Sequence, residues 1–284
     1  MSKKKIVVLL LFTVFTVKGH TQESNILKFD NTFTLKLLTK LNSLVFEDGL
    51  NNHEFETNRP LDIGIGFGYK DFSFDFYMRT PFLYNQDYSK SQSFDVGSIY
   101  FYEDSCYFDG YIKYYNGFID NTGKEINLKI YNIGVSGEYI FNKDHSIRSV
   151  YNLDRKQLES NGSFLIGGGI FIISINSDND YINDYYDRKI IYYFGPNIGY
   201  SYTFIIVDNF FINLLFTFGI NCIINKEEVS FGLQTFPKLS FGYHGKTWSM
   251  NIYANAYLLN DYIKEDEGNV ITEETIGIVF SKRI

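Results

Sequence analysis

The chemistry open to this 284-residue chain lies in dispersed charges, with no compact catalytic motif. Asp62, Asp75, Asp109, Lys113, Glu138 and Arg148 fall on the polar stripes of segments whose other stripe is apolar. Acids and bases confined to one face can pair, line an aqueous passage, or do both. Arg148 is expected to face Asp75, Glu138 or Asp109. It would then either tune a passage or fix strand register as a buried ion pair. Asp178, Asp180, Asp184 and Asp187 crowd the stretch "NSDNDYINDYYDRK". Carboxylates at that density suit Ca²⁺, but the stretch lacks the glycine and closing Glu of an EF-hand loop. A solvated acidic loop is the simpler reading.

Other motifs are excluded by spacing. His20, His53, His145 and His244 are far apart and form no HExxH or paired-ligand pattern. Gly64-Ile-Gly66-Phe-Gly68 lacks the GxGxxG spacing and leads into another strand, so no helix N-terminus waits for a phosphate. Gly167, Gly168 and Gly169 are read the same way. Ser136 in "GVSGE" does not form the nucleophile elbow GxSxG. No cofactor, metal or enzymatic activity is expected. A lipid hydrolase or acyltransferase with a Ser/His pair assembled from distant loops near a barrel rim remains a remote alternative.

The elements that carry these charges are strands. From Leu61 to Tyr69, apolar residues alternate with Asp62, Gly64, Gly66 and Gly68. From Phe72 to Met78 they alternate with Ser73, Asp75 and Tyr77. A two-residue period places the stripes on opposite faces of a strand. Aromatic residues make up 19% of the chain and only 4 prolines interrupt it, which favours strands throughout. Thirteen segments satisfy this reading, near 32–46, 60–70, 72–80, 92–103, 106–116, 128–141, 146–154, 163–174, 189–206, 210–224, 229–243, 247–259 and 271–281. They are longer than the roughly 5–6 residues usual for sandwich strands and reach the roughly 9–11 needed to cross a bilayer. The expected fold is all-β: a transmembrane antiparallel up-and-down β-barrel of about 12 strands, within a range of about 10–14. Bacterial single-chain barrels have even strand numbers, so one of the thirteen segments must be something else. The suspects are 32–46 and the 146–174 region.

The N-terminus reads "MSKKKIVVLLLFTVFTVKGHTQE". Lys3–Lys5, a short apolar run and small residues at 19 and 21 are the parts of a secretory signal peptide spanning residues 1–21. Residues 22–284 would form one barrel domain. Cleavage removes four lysines and no acid, so the formal charge moves from −7 to about −11. Such an acidic chain is unsuited to nucleic acid. Export permits a disulfide between Cys106 and Cys222, although two free thiols fit the strand order better. Phe280 sits four residues before the end, so the terminal strand does not close on an aromatic residue.

Three stretches carry a resemblance: "NRPLDIGIGFGYKDFSF" (Asn58–Phe74), "HSIRSVYNLDRKQLESNGSFLIGG" (His145–Gly168) and "YYFGPNIGYSYTFIIVDNFFI" (Tyr192–Ile212), with "YYNGF" at Tyr114–Phe118. They resemble the Bacteroidetes family named Domain of Unknown Function 4421, across about residues 30–281. The resemblance implies a signal-bearing outer-membrane barrel and carries over no activity. Asn161 and the non-aromatic C-terminus depart from the family pattern.

The expected setting is therefore the bacterial outer membrane. The partners are lipid bilayer, lipopolysaccharide and the outer-membrane assembly machinery; oligomeric state stays open. A closed or narrow barrel acting as membrane anchor, structural or interaction protein is the favoured role. A small pore or solute channel is the alternative.

Overall fold

The computed structural model describes residues 25–284, apart from 31–32, 49–52, 58–60, 80–91, 121–122, 178–188, 225–228 and 262–269. The expected signal peptide, and the acidic loop with Asp178, Asp180, Asp184 and Asp187, lie outside the described residues.

In chain order the elements are β1 (Ile26–Lys28), β2 (Phe33–Asp48), β3 (His53–Thr57), β4 (Leu61–Tyr69), β5 (Phe72–Arg79), β6 (Gln92–Tyr102), β7 (Cys106–Asp120), β8 (Glu125–Ile140), α1 (Ile147–Tyr151), β9 (Arg155–Gln157), β10 (Asn161–Ser177), β11 (Lys189–Val207), β12 (Phe210–Ile224), β13 (Val229–His244), β14 (Trp248–Asp261) and β15 (Val270–Arg283). Every wall contact is antiparallel, and β15 pairs with β2 from Val270↔Glu47 to Arg283↔Thr34, which closes the sheet. The wall has twelve strands: β2, β4–β8 and β10–β15.

The segment that did not belong is 146–154. Residues 147–151 form α1, capped by Ser146, whose side chain accepts from the Ser149 amide. The apparent alternation there came from a single turn of helix with its residues buried on several sides. Three short strands escaped the period-two reading because each has five residues or fewer: β1, β3 and β9. The last strand, expected near 271–281, runs on to Arg283, which points inward and is 2% exposed.

The wall wears its apolar stripe outward. Ile65 is 64% exposed and Ile63 52%, whereas Asp62 between their neighbours is 2% exposed. The same holds for Leu37, Phe164, Ile170, Ile198, Phe216 and Ile276. A soluble sandwich would bury these side chains. A continuous apolar belt far larger than the few hundred Å² tolerated in water requires hydrocarbon around it. Aromatic pairs such as Trp248 with Phe280 and Phe210 with Tyr243 add to the belt near one end.

Both described chain ends and the tight turns at 70–71, 103–105, 208–209 and 245–247 share one end of the barrel, here called the terminal end. The opposite end is the loop end. There, β3 pairs with both β2 and β7 and so bypasses β4–β6, narrowing the wall by two strands.

The lumen is filled in layers. At the loop end an apolar cluster includes Leu44, Phe118, Leu128, Ile173, Ile175 and Ile223. At the terminal end the connection between β8 and β10 folds back inside, and its Ile147, Val150 and Leu153 are at most 1% exposed. Their neighbours Leu38, Phe101, Phe211, Leu215 and Val279 come from strands all around the wall. Each such side chain removed from water contributes about 1.5–3 kcal/mol, so this plug is held by burial before any polar contact is counted. Outside it, β1 and β9 pair as a small two-stranded lid.

Candidate functional site

Between the apolar layer and the plug lies a cavity of about 200 Å³. Its charged wall groups are Lys40, Asp75, Asp95, Asp109, Lys113, Glu138, Lys238 and Glu273. Alternation puts them there: each sits on a wall strand and points to the inner face that the glycines and hydroxyls share. Aromatic rings of Tyr77, Tyr111, Phe171, Phe236, Tyr253 and Tyr257 complete the chamber.

Most of these charges are matched across the lumen. Lys113 Nζ lies 2.6 Å from Glu273 Oε1, and the Tyr115 hydroxyl donates to the same oxygen at 3.1 Å. Lys40 pairs with Asp95 and sits 4.3 Å above the Tyr77 ring. Lys36 pairs with Asp75 at 3.3 Å and also donates to Ser73. Glu138 accepts from Asn197 Nδ2 at 3.2 Å. Lys238 lies 3.6 Å over the Tyr151 ring of the plug. In a lumen filled at both ends a charge left alone is costly, so the paired layer also dictates strand register.

The interior residues read from sequence divide in two. Asp75, Asp109, Lys113 and Glu138 meet at the chamber. Asp62 faces inward on β4 and accepts from Ser93 Oγ at 3.2 Å, outside the chamber wall. Arg148 corrects the expectation. It lies on α1 in the plug, not on a wall strand, and its partners are Asp71 at 2.5 Å and Asp154 at 2.6 Å, not Asp75, Glu138 or Asp109. Burial opposes its charge, but Asp154 and then Asp71 outweigh this and hold the guanidinium above its ordinary range. Lys40, Asp95, Asn197, Lys238 and Glu273 were missed. Lys40 stands in the weakly alternating run "LKLLTKLNSL", and the others carry no spacing signal that sets them apart from any inward polar residue.

The plug is tied to the rim at several points. Arg155 meets Asp104 at 2.6 Å in the β6–β7 turn. Burial pushes the Asp104 carboxyl up, but Arg155 prevails and holds it below the usual carboxylate range. Lys156 donates to Asn209 at 2.9 Å in the β11–β12 turn. Arg283 donates to the Leu153 carbonyl at 2.9 Å and packs over Phe29. Leu153 takes φ 59, a left-handed backbone that a branched side chain adopts only when its surroundings enforce it.

Two Ser–His pairs form, as a hydrolase would need. His145 Nε2 is 3.0 Å from Ser201 Oγ, and His244 Nδ1 is 3.0 Å from Ser249 Oγ. Both serines are 0% exposed. No carboxylate is hydrogen-bonded to either imidazole among the described residues. Burial pushes the His145 imidazole down to about 4. Cys106 and Cys222 are free thiols.

A closed antiparallel barrel with an outward apolar belt and a charge-paired interior is the architecture of outer-membrane β-barrels. The chain belongs to the family described as Domain of unknown function (DUF4421), which it matches over residues 25–279. Among solved structures it is similar to the beta domain of the Bordetella autotransporter Brka, with TM-score 0.50 and 12% identity over 88% of this chain and 99% of that one. The translocator domain of autotransporter NalP from Neisseria meningitidis gives TM-score 0.46 and 12% identity, over 99% and 93%. The outer membrane protease OmpT from Escherichia coli gives 0.41 and 6%, over 89% and 96%. No curated protein matches the chain.

Proposed function

We propose that this protein is a closed barrel of the bacterial outer membrane, serving as a membrane anchor or interaction scaffold. The observation that supports this reading is the plug. Residues 145–157 occupy the terminal end of the lumen, bound to the rim by Arg148, Arg155, Lys156 and Arg283. An apolar cluster fills the other end, where a water-filled channel would carry polar groups. The reading includes removal of residues 1–21 on export, insertion by the outer-membrane assembly machinery, and a terminal end facing the periplasm. Short turns at one end and longer connections at the other suit that orientation. Lipopolysaccharide would then surround the loop end. Catalysis is not part of this role.

The test is conductance in planar lipid bilayers, for the intact protein and for a variant in which residues 144–157 are replaced by a short Gly/Ser linker. The intact barrel is expected to be silent and the plugless one to conduct. Steady, solute-sized conductance from the intact protein would establish the channel role in place of the anchor.

A further inference from the structure

The chamber contains two buried acceptor atoms with no geometrically formed hydrogen bond among the described residues, although the Tyr107 hydroxyl stands beside one of them, the Glu138 carboxylate. Glu138 is 6% exposed, and its Oε2 has no hydrogen-bond partner among the described residues. Asn197 is 3% exposed; its Nδ2 is committed to Glu138 Oε1, which leaves its own Oδ1 as a second orphan. Both line the cavity. A buried acceptor without a donor loses its water and gains nothing, so each such atom calls for an explanation, and a bound water or ligand is one.

The charges point the same way. Asp75, Asp95 and Glu273 each have a lysine. Asp109 and Glu138 have no ion-pair partner among the described residues, although both face the same cavity from neighbouring strands. Lys238, the cation across from them, is placed over the Tyr151 ring. Two carboxylates and an amide oxygen therefore converge on a space walled by Phe171, Phe236 and other aromatic rings. Oxygen acceptors together with π faces favour a positively charged group that also donates hydrogen bonds. No group of three His, Cys, Asp or Glu side chains suited to a metal ion occurs among the described residues, which argues for an organic cation. At about 30 Å³ per water, 200 Å³ holds roughly six waters, or a molecule with about that many heavy atoms.

We propose that the chamber is a binding site for a small organic cation, a primary amine or diamine, held by Glu138, Asp109 and Asn197. The site does not depend on whether the barrel conducts, because its groups sit between the plug and the apolar layer.

The experiment uses the full mature chain folded into detergent. The probes are 1,4-diaminobutane, n-butylamine, neutral 1-butanol and Ca²⁺, each added before and after folding and followed by calorimetric titration and thermal unfolding. One or both amines are expected to bind saturably with Kd below about 1 mM and to raise Tm, while 1-butanol and Ca²⁺ do neither. Glu138→Gln keeps the shape of the side chain and is expected to weaken amine binding at least tenfold; Asp109→Asn is expected to act likewise. Absence of saturable amine binding, equal binding of 1-butanol, preferential binding of Ca²⁺, or amine affinity unchanged in both Glu138→Gln and Asp109→Asn would each overturn the assignment. If Glu138→Gln fails to fold, Asp109→Asn decides the question: unchanged amine affinity there refutes the site.

Discussion

Arg148 Nη1 and Asp71 Oδ1 meet at 2.5 Å, although they are 77 positions apart in the chain. Through this contact the helix inside the barrel is fastened to the turn between β4 and β5. Arg148 also donates to the Lys70 carbonyl and to Asp154, so one side chain ties three points of the terminal end together. Arg148→Ala is expected to lower folded stability by about 2–3 kcal/mol. This is less than the roughly 3–5 kcal/mol of a fully buried pair, because Asp71 is 56% exposed and returns to water easily. Urea unfolding in liposomes measures it. A loss below about 0.5 kcal/mol would mean that apolar packing alone secures the plug.

The outward and inward faces of β4 respond to different physics. Phe67→Lys puts a charge on the hydrocarbon side and is expected to cost roughly 2–4 kcal/mol near the bilayer middle. Serine at Gly66 looks harmless from sequence, since the residue faces a polar lumen. It is not: a Cβ there would meet Asp75 Oδ1 at less than contact distance and the Phe74 carbonyl at 2.9 Å. Gly66→Ser should therefore cost about 1–3 kcal/mol, by displacing the carboxylate that Lys36 holds. Gly97 has open space around it, and Gly97→Ser is expected to change stability by no more than about 0.5 kcal/mol. Folded fractions of the three variants, read by heat-modifiable gel mobility, separate these effects.

Lys113 and Glu273 form the clearest ion pair of the lumen. Lys113→Met alone leaves Glu273 uncompensated and is expected to cost about 3–5 kcal/mol. Lys113→Met combined with Glu273→Leu should recover part of that loss, because two apolar side chains need no partner, while the Tyr115 hydroxyl that donates to Glu273 loses its acceptor. A double-mutant cycle measures the coupling. Additive losses would show that the pair does not act as a unit.

Acid should loosen the plug through His145. An unfolded imidazole titrates near 6.5, and the folded one at about 4, because burial favours the neutral form. Its contribution to stability is complete above about pH 6.5 and is lost as pH falls towards 4, some 3 kcal/mol in all. His145→Gln removes the titration. Urea midpoints of wild type and His145→Gln between pH 7.5 and 4 should converge at the acid end. Parallel curves would place His145 in water.

What the sequence determined by itself is everything that depends on a two-residue period. The alternation of Ile63, Ile65 and Phe67 with Asp62, Gly64 and Gly66 was sufficient to orient a strand between lipid and lumen. Twelve of thirteen segments were legible for that reason, and parity required the thirteenth to be something else. Tertiary structure decided what fills the barrel. "HSIRSVYNL" alternates loosely enough to pass as a strand, and it became a capped helical turn because closed walls offered it an apolar interior to enter. The partners of Arg148 could not be read either, because Asp71 is reached only when the connection folds back across the rim. The chamber likewise exists only in the closed sheet. Glu138, Asp109 and Asn197 are ordinary inward residues on their own strands, and register and closure alone bring their oxygens to one cavity.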